Sequence, residues 1–349
     1  EQRPELNIIS EDKQMNGNYC PQSHSITINK KLYLSGLCNL ENTIMHEATH
    51  SKEALLRAGI PQSRIDEILQ DKIISGIKKN SPYLITVTGE KLKRPKMSDK
   101  MQNDFIEFTK EYLFKDDFLT SITNEINEFA KDRETKSIPI LNKINSIYEN
   151  NPEFEKQYGS KEDAGLDLLK YIFALRKNYE IYRYNKVGLI NVAELSGEKL
   201  EYAEKSFKDW LYTLLGNITY EKNTEGKYSH FIYAIMPEEV LAQKNGNNFL
   251  IKTYNEELET MRKTGNINQK RAEYLTLQIE KSKLTIKYKE LGLELFEFIQ
   301  NKYENSNNIE ETMKEFKKNP PKEIIEILKQ INVIKQEIKI YDEKILNIR

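Results

Sequence analysis

Residues 43–50 read Thr-Ile-Met-His-Glu-Ala-Thr-His and contain the pattern His-Glu-x-x-His. On a helix, His46 and His50 lie one turn apart on the same face, so both imidazoles can reach one metal ion. Glu47 lies about 100° around the helix from His46, where its carboxylate can contact a water molecule without becoming a ligand. The octet therefore predicts a Zn2+ site with His46 and His50 as ligands and Glu47 as the general base.

The segments on either side of the octet predict a small sheet followed by a helix. Short β-branched runs at 6–9 and 25–28 are separated by the turn-like residues 16–18. From Asn42 onward, apolar residues recur at helical spacing, and the run Gly-Ile-Pro at 59–61 predicts the end of that helix.

This order of a strand and a His-Glu-x-x-His helix resembles the zincin metallopeptidases, over residues 23–76 only. The resemblance implies a zinc-dependent endopeptidase that hydrolyses peptide bonds through a metal-activated water, with Glu47 as general base. It also implies that Ser25–Asn29 is the strand that binds an extended substrate by strand addition. The alternative is a helical binding or scaffold protein with a structural or inactive site of this type.

Resemblance to one zincin subgroup implies a third metal ligand. Thermolysin-like gluzincins place a ligand Glu on the helix after the motif helix, with an Asp four residues later, and Glu67 and Asp71 match that spacing. Glu67 would then be the ligand, and Asp71 would accept a hydrogen bond from a ligating histidine. Alternatively, Glu67 is a solvent-facing residue of a helix that begins at Ser63, with Asp66 completing a capping box.

Two other carboxylates remain open as the third ligand. Glu53 lies seven residues after His46 on the same helical face, as in families with an acidic residue at that spacing. Glu162 follows Tyr158 in an arrangement that resembles the late helix of lethal-factor-like toxins. It also fits an ordinary helix start, because Ser160 and Asp163 form a capping box on their own.

The last candidate site residue is His230, the only histidine after the motif. Because gluzincins commonly use Tyr or His to stabilise the transition-state oxyanion, the resemblance implies this catalytic role for His230. The alternative is a packed histidine between the aromatic residues Tyr228 and Phe231.

Composition limits the classes of partner. The 349 residues include 53 Lys and Arg and 54 Asp and Glu, for a formal net charge of −1. This balance provides no whole-protein attraction to nucleic acid or anionic membrane, and no apolar run approaches the roughly 20 residues of a membrane span. We therefore expect a protein or peptide substrate, no nucleic acid and no membrane span.

Two further features concern the cellular location. The chain begins with Glu1 rather than Met and is rich in Lys, Asn and Ile, which we interpret as typical of a secreted bacterial protease or toxin-like effector. A cytosolic protein remains the alternative. Cys20 and Cys38, the only cysteines, fit either one disulfide or two thiols.

The whole pattern predicts an α+β, predominantly helical protein. We expect a zincin-like catalytic core with a small mixed sheet at 1–97, a mainly helical domain that completes the cleft at 98–265, and an antiparallel helical hairpin or coiled coil at 266–349. Two apolar stripes separated by Pro320-Pro321 indicate this hairpin, which could also bind a partner protein. The first stripe contains Leu277, Leu284, Tyr288, Leu291, Leu295 and Phe298, and the second contains Ile327, Ile331, Ile334, Ile338, Tyr341 and Ile345. A β-hairpin is expected at 217–236, where aromatic and β-branched residues cluster.

Overall fold

The structure, a computed structural model, describes residues 3–10, 16–32, 37–78, 83–85, 91–93, 95–131, 139–184, 192–223, 234–305 and 318–348. In that part of the chain it has eleven α-helices and a small three-stranded mixed sheet, so the predicted predominantly helical α+β class is confirmed. The strands are β1 (Glu5–Ile9), β2 (Gly17–Cys20), β3 (Ser25–Asn29), β4 (Tyr83–Ile85) and β5 (Lys91–Lys93). The helices are α1 (Leu37–Ala58), α2 (Gln62–Lys78), α3 (Asp99–Phe108), α4 (Phe118–Lys131), α5 (Pro139–Glu149), α6 (Pro152–Glu155), α7 (Lys161–Tyr184), α8 (Glu198–Asn223), α9 (Pro237–Thr264), α10 (Gln269–Asn305) and α11 (Lys322–Ile348).

The chain forms two compact units that are not consecutive in sequence. The first comprises Glu1–Ile60, Lys186–Asn301 and Thr312–Arg349, and the second comprises Pro61–Asn185 and Lys302–Glu311. The first unit therefore joins α1 and its sheet to helices from the last third of the chain, because α9 is the main packing neighbour of α1. The predicted division into domains at 1–97, 98–265 and 266–349 stays a prediction.

The sheet of the first unit has the strand order β1-β3-β2. β1 runs parallel to β3 with Glu5 opposite Ser25, and β2 runs antiparallel to β3 with Gly17 opposite Ile28. Because β3 is paired along both edges, the interpretation of Ser25–Asn29 as the strand that receives substrate is wrong. Among the described strands, β2 is the edge that packs against α1.

β3 holds the sheet against the motif helix. Ile26 and Ile28 point into a buried cluster with Leu40 and Ala54 of α1. Burial of each isoleucine or leucine side chain in this cluster contributes about 1.5–3 kcal/mol. The apolar residues of this cluster thus set the face of α1 that is covered by the sheet.

The crossing of α9 over α1 is unusually close at Gly246. A Cβ atom added to Gly246 would lie 2.1 Å from the Asn42 side-chain oxygen and 3.0 Å from the Asn42 carbonyl oxygen. Farther along the same interface, the Asn245 amide donates to Thr49 Oγ1 at 3.3 Å. Glycine at 246 therefore lets the start of α9 approach the motif residues.

Gly246→Ala should destabilise the protein by about 1–3 kcal/mol, because the new methyl group must displace Asn42. The matched control is Gly76→Ala in α2, where an added Cβ meets no atom within 4 Å. That variant should gain up to about 1 kcal/mol, since alanine is the better helix former. Urea unfolding followed by circular dichroism measures both. A stability gain of equal size in the two variants would contradict the close crossing.

Helix α11 and helix α10 up to Asn301 belong to the same unit as the motif. The two predicted apolar stripes pack against each other between α10 and α11, around Leu291, Leu295, Ile331 and Ile334. A 2.5 Å ion pair joins Lys281, in the first half of α10, to Asp342, near the end of α11. The two helices are therefore antiparallel, as predicted.

A third helix completes this bundle. Leu250 and Tyr254 of α9 form a buried cluster with Leu275 and Ile279 of α10. The turn between α9 and α10 uses Gly265 in the left-handed conformation (φ 67°), which glycine adopts without strain. The predicted hairpin is thus part of a three-helix arrangement that includes α9.

The second unit has its own core, in which Phe105, Phe108 and Phe118 are almost fully buried. The buried Arg176 guanidinium donates 2.6 Å hydrogen bonds to the carbonyl oxygens of Leu113 and Lys115. These bonds satisfy carbonyls at the end of a π-helical turn, Thr109–Leu113. The buried arginine is thus explained by backbone hydrogen bonding.

Two local expectations can be compared with the backbone. The hairpin predicted over 217–236 is wrong for 217–223, which continue α8, and residues 224–233 lie outside the described part. In so short a run, β-branched and aromatic residues are compatible with a strand or a helix. Here residues 217–223 continue the preceding helix α8. No helix in the described ranges is both long and apolar enough to cross a bilayer.

Candidate metal centre

The two motif histidines lie together on α1. They are one helical turn apart, and their Nε2 atoms are 3.1 Å from each other. His46 is 8% exposed, and His50 is half-buried. The His-Glu-x-x-His spacing therefore brings both imidazoles to one point, as the sequence predicts.

Glu239 in the first turn of α9 contributes a carboxylate at the same point. Its Oε2 lies 3.3 Å from His46 Nε2, and its Oε1 lies 3.3 Å from His50 Nε2. α9 begins at Pro237, which suits the first position of a helix because its ring fixes φ and it has no N–H to leave unpaired. Glu239 is 6% exposed, so its charge is buried against the two histidines.

These three side chains fit the donor set of a zinc site. Ligand atoms about 2.0–2.1 Å from a tetrahedral zinc are about 3.3–3.4 Å from one another, and His–His–Glu is an established catalytic ligand set. The 3.1 Å between the two Nε2 atoms is close to that value, and each of these nitrogens lies 3.3 Å from a different oxygen of the Glu239 carboxylate. Among the described residues, His46, His50 and Glu239 are thus a group that could hold a metal ion.

The electrostatics of the group favour a cation. Burial lowers the pKa of His50, but the carboxylates of Glu238 and Glu239 outweigh burial and raise that pKa to about 10. Burial raises the pKa of Glu239, but hydrogen bonds with His46 and His50 hold it well below its usual range. The buried carboxylates therefore stabilise positive charge at this point, which a divalent cation would also supply.

Glu47 lies beside the group rather than in it. It is 6% exposed, and burial raises its pKa, against the opposing effects of His46 and His50 and of a hydrogen bond from the Tyr19 backbone. It faces strand β2, where a Cβ atom on Gly17 would lie 3.3 Å from Glu47 Oε1. A buried carboxylate with a raised pKa, next to a metal group but not one of its ligands, suits a general base.

Glu67, the third ligand implied by resemblance, is placed elsewhere. It lies on α2 in the second unit, with its side chain 59% exposed and paired with Arg64 at 2.5 Å. Asp71 is exposed on the same helix. Neither residue belongs to the metal-capable group among the described residues.

The two alternative ligands have other environments. Glu53 is 2% exposed, and its Oε1 accepts a 3.0 Å hydrogen bond from the Tyr202 hydroxyl. Glu162 is exposed in the first turn of α7. The carboxylate that the structure brings to both histidines is Glu239, which sequence analysis did not single out.

Three predicted features have a limited structural description. His230 lies outside the described residues, so its role stays a prediction. Cys20 is a free thiol that donates to the Gln22 side-chain oxygen at 3.4 Å. The Cys38 side chain also lies outside the described part of the structure.

Comparison with known proteins adds no relative. No protein-family model, curated protein or solved structure matches the chain. The functional interpretation therefore depends on the geometry and chemistry of the site.

Proposed function

We propose that the protein is a zinc-dependent endopeptidase that acts on protein or peptide substrates. The observation that carries this proposal is the convergence of His46, His50 and Glu239, in which each histidine Nε2 lies 3.3 Å from a Glu239 oxygen, with the buried Glu47 carboxylate beside them. Three protein ligands leave the fourth position of a tetrahedral ion open, which is typical of catalytic rather than structural zinc sites.

Each residue has a distinct chemical task in this proposal. His46, His50 and Glu239 would hold the ion, which when bound supplies Lewis acidity toward a peptide carbonyl and a water molecule. Glu47 takes the proton from the attacking water and delivers it to the leaving amine. Its exclusion from bulk water and raised pKa favour both transfers.

β2 is the strand best placed to bind substrate. Gly17 of β2 approaches Glu47 closely, and among the described strands β2 pairs only with β3, through one of its two edges. An extended peptide added along the other edge would be held by backbone hydrogen bonds that do not depend on its sequence. We therefore propose that specificity comes from side-chain contacts rather than from this pairing.

Metal removal tests the proposed function. Purified protein, incubated with a degenerate peptide library and analysed by mass spectrometry, should cleave peptides, and a zinc chelator should abolish cleavage. Added zinc should restore it, because the apoprotein keeps its ligands but loses the Lewis acid. A folded, zinc-loaded protein that cleaves no peptide would contradict the proposal and favour a scaffold with a structural zinc site.

A further inference from the structure

Glu238, immediately before Glu239, contacts the other nitrogen of the same histidine. Glu238 Oε1 lies 3.7 Å from His50 Nδ1, whereas Glu239 Oε1 lies 3.3 Å from His50 Nε2. Because the two ring nitrogens point in different directions, adjacent glutamates of α9 hold the His50 imidazole between them. Both contacts are shielded, since the side chains of His50 and Glu238 are 14% and 12% exposed.

Arg57 fixes the Glu238 carboxylate at this position. Its Nη1 atom lies 2.9 Å from Glu238 Oε1 and donates to Ser206 Oγ at 3.2 Å. The guanidinium carbon also lies 5.7 Å from the centre of the Trp210 ring, within range of a cation–π interaction. Arg57 is thus a buried cation that contacts α8 and α9, and Glu238 is the carboxylate that neutralises it.

The two histidines differ in whether a carboxylate contacts the Nδ1 atom of the ring. His46 Nδ1 is buried and has no hydrogen-bond partner among the described residues. A histidine that binds metal through Nε2 carries its proton on Nδ1, and an acceptor at Nδ1 fixes both the tautomer and the ring orientation. Among the described contacts of the two rings, a carboxylate lies next to the Nδ1 atom only in His50.

We propose that Glu238, anchored by Arg57, positions His50 as a metal ligand through the contact of its carboxylate with the Nδ1 side of the ring. This inference rests on the proposed zinc site. Glu238 and Arg57 are positioning residues, because neither belongs to the group that could hold the ion. The role that resemblance assigns to Asp71 would thus be filled by a residue 167 positions later in the chain.

Zinc competition against a chromophoric chelator, with the full-length protein, tests the inference. Glu238→Ala should weaken zinc binding about 10–100-fold, the range observed for residues that support metal ligands. Glu238→Gln keeps an acceptor oxygen and almost the same shape, so its loss should be only a fraction of that seen with alanine. The matched control is Glu290→Gln, which removes an exposed carboxylate on α10 and should bind zinc like the wild type.

The visible spectrum of the cobalt-substituted protein separates positioning from loss of structure. A reoriented His50 ring changes the ligand field, so Glu238→Ala should alter the cobalt bands while its circular dichroism stays native. The double variant Arg57→Met/Glu238→Gln should bind zinc no more weakly than Glu238→Ala, since Arg57 acts through Glu238. It also avoids leaving a buried charge unpaired.

The outcomes distinguish this inference from the proposed function. Wild-type protein that binds no zinc would overturn both. Wild-type protein that binds zinc while Glu238→Ala binds it equally well, with unchanged cobalt bands, would overturn only the positioning role. Zinc binding that weakens as expected, in a protein that cleaves no peptide, would support the positioning role and overturn the endopeptidase proposal.

Discussion

Glu47→Gln should lower the rate of peptide hydrolysis by about 10²–10⁴-fold, the usual contribution of a positioned general base. Glutamine has nearly the same shape as glutamate but cannot accept the proton of the attacking water. Because Glu47 is not in the group that holds the ion, zinc affinity should stay within a few-fold of wild type. Single-turnover hydrolysis and zinc competition on the same preparation measure the two quantities.

A second glutamate on α1 provides the control for this substitution. Glu41 is half-buried on the same helix and lies outside the metal group. Glu41→Gln removes the same charge from the same element and should leave hydrolysis unchanged. If Glu47→Gln hydrolyses peptides at the wild-type rate, Glu47 is not the base. If Glu47→Gln loses zinc, Glu47 is a ligand and the proposed division of roles fails.

Glu239→Ala should remove most of the zinc affinity. Zinc-finger peptides with four ligands bind zinc with about 10–16 kcal/mol, which corresponds to about 2.5–4 kcal/mol for each ligand. That share corresponds to a loss on the order of 10²–10³-fold. His46→Ala and His50→Ala should lose comparable affinity, since each removes one contact to the same ion. Competition with chelators of graded affinity measures all three variants.

Glu67→Ala is the informative comparison for Glu239→Ala. The exposed Glu67 side chain pairs with Arg64 on α2, and an exposed pair of this kind contributes about 0–1 kcal/mol to stability. Glu67→Ala should therefore keep both zinc and stability. A loss of zinc in Glu67→Ala together with wild-type affinity in Glu239→Ala would restore the thermolysin-like ligand assignment.

The local part of the site could be predicted from sequence. His46, Glu47 and His50 lie within one and a half turns of a single helix, so their relative placement follows from helix geometry. The strands at 6–9 and 25–28 were also predictable from their β-branched runs, but the turn expected at 16–18 is wrong, because β2 begins at Gly17. The order of the strands could not be predicted. β3 pairs with β1 along one edge and with β2 along the other, and no local sequence signal specifies these partners.

The third ligand could not be predicted in the same way. Glu239 follows His50 by 189 residues, and it reaches the histidines because α9 packs across α1, with a close approach at Gly246. Locally, Pro237, Glu238 and Glu239 have the composition of an ordinary helix start, where acidic residues complement the helix dipole. Nothing in that stretch distinguishes a ligand from a residue that stabilises the helix end.

The prediction of Glu67 shows the limit of spacing as a criterion. Glu67 and Asp71 have the right separation and follow the motif helix closely. The same separation occurs on any solvated helix face, and Glu67 lies on such a face, next to Arg64. Spacing along the chain identifies a ligand only when the element that carries it also packs against the motif.

Crystals of the zinc-loaded protein, measured on both sides of the zinc absorption edge, test the central claim most directly. The account predicts one anomalous peak about 2.0–2.2 Å from the Nε2 atoms of His46 and His50 and from a carboxylate oxygen of Glu239. The Glu47 carboxylate should lie beyond coordination distance of that peak. No peak at the two histidines, or a peak there whose carboxylate ligand is Glu67, Glu53 or Glu162, would contradict the account.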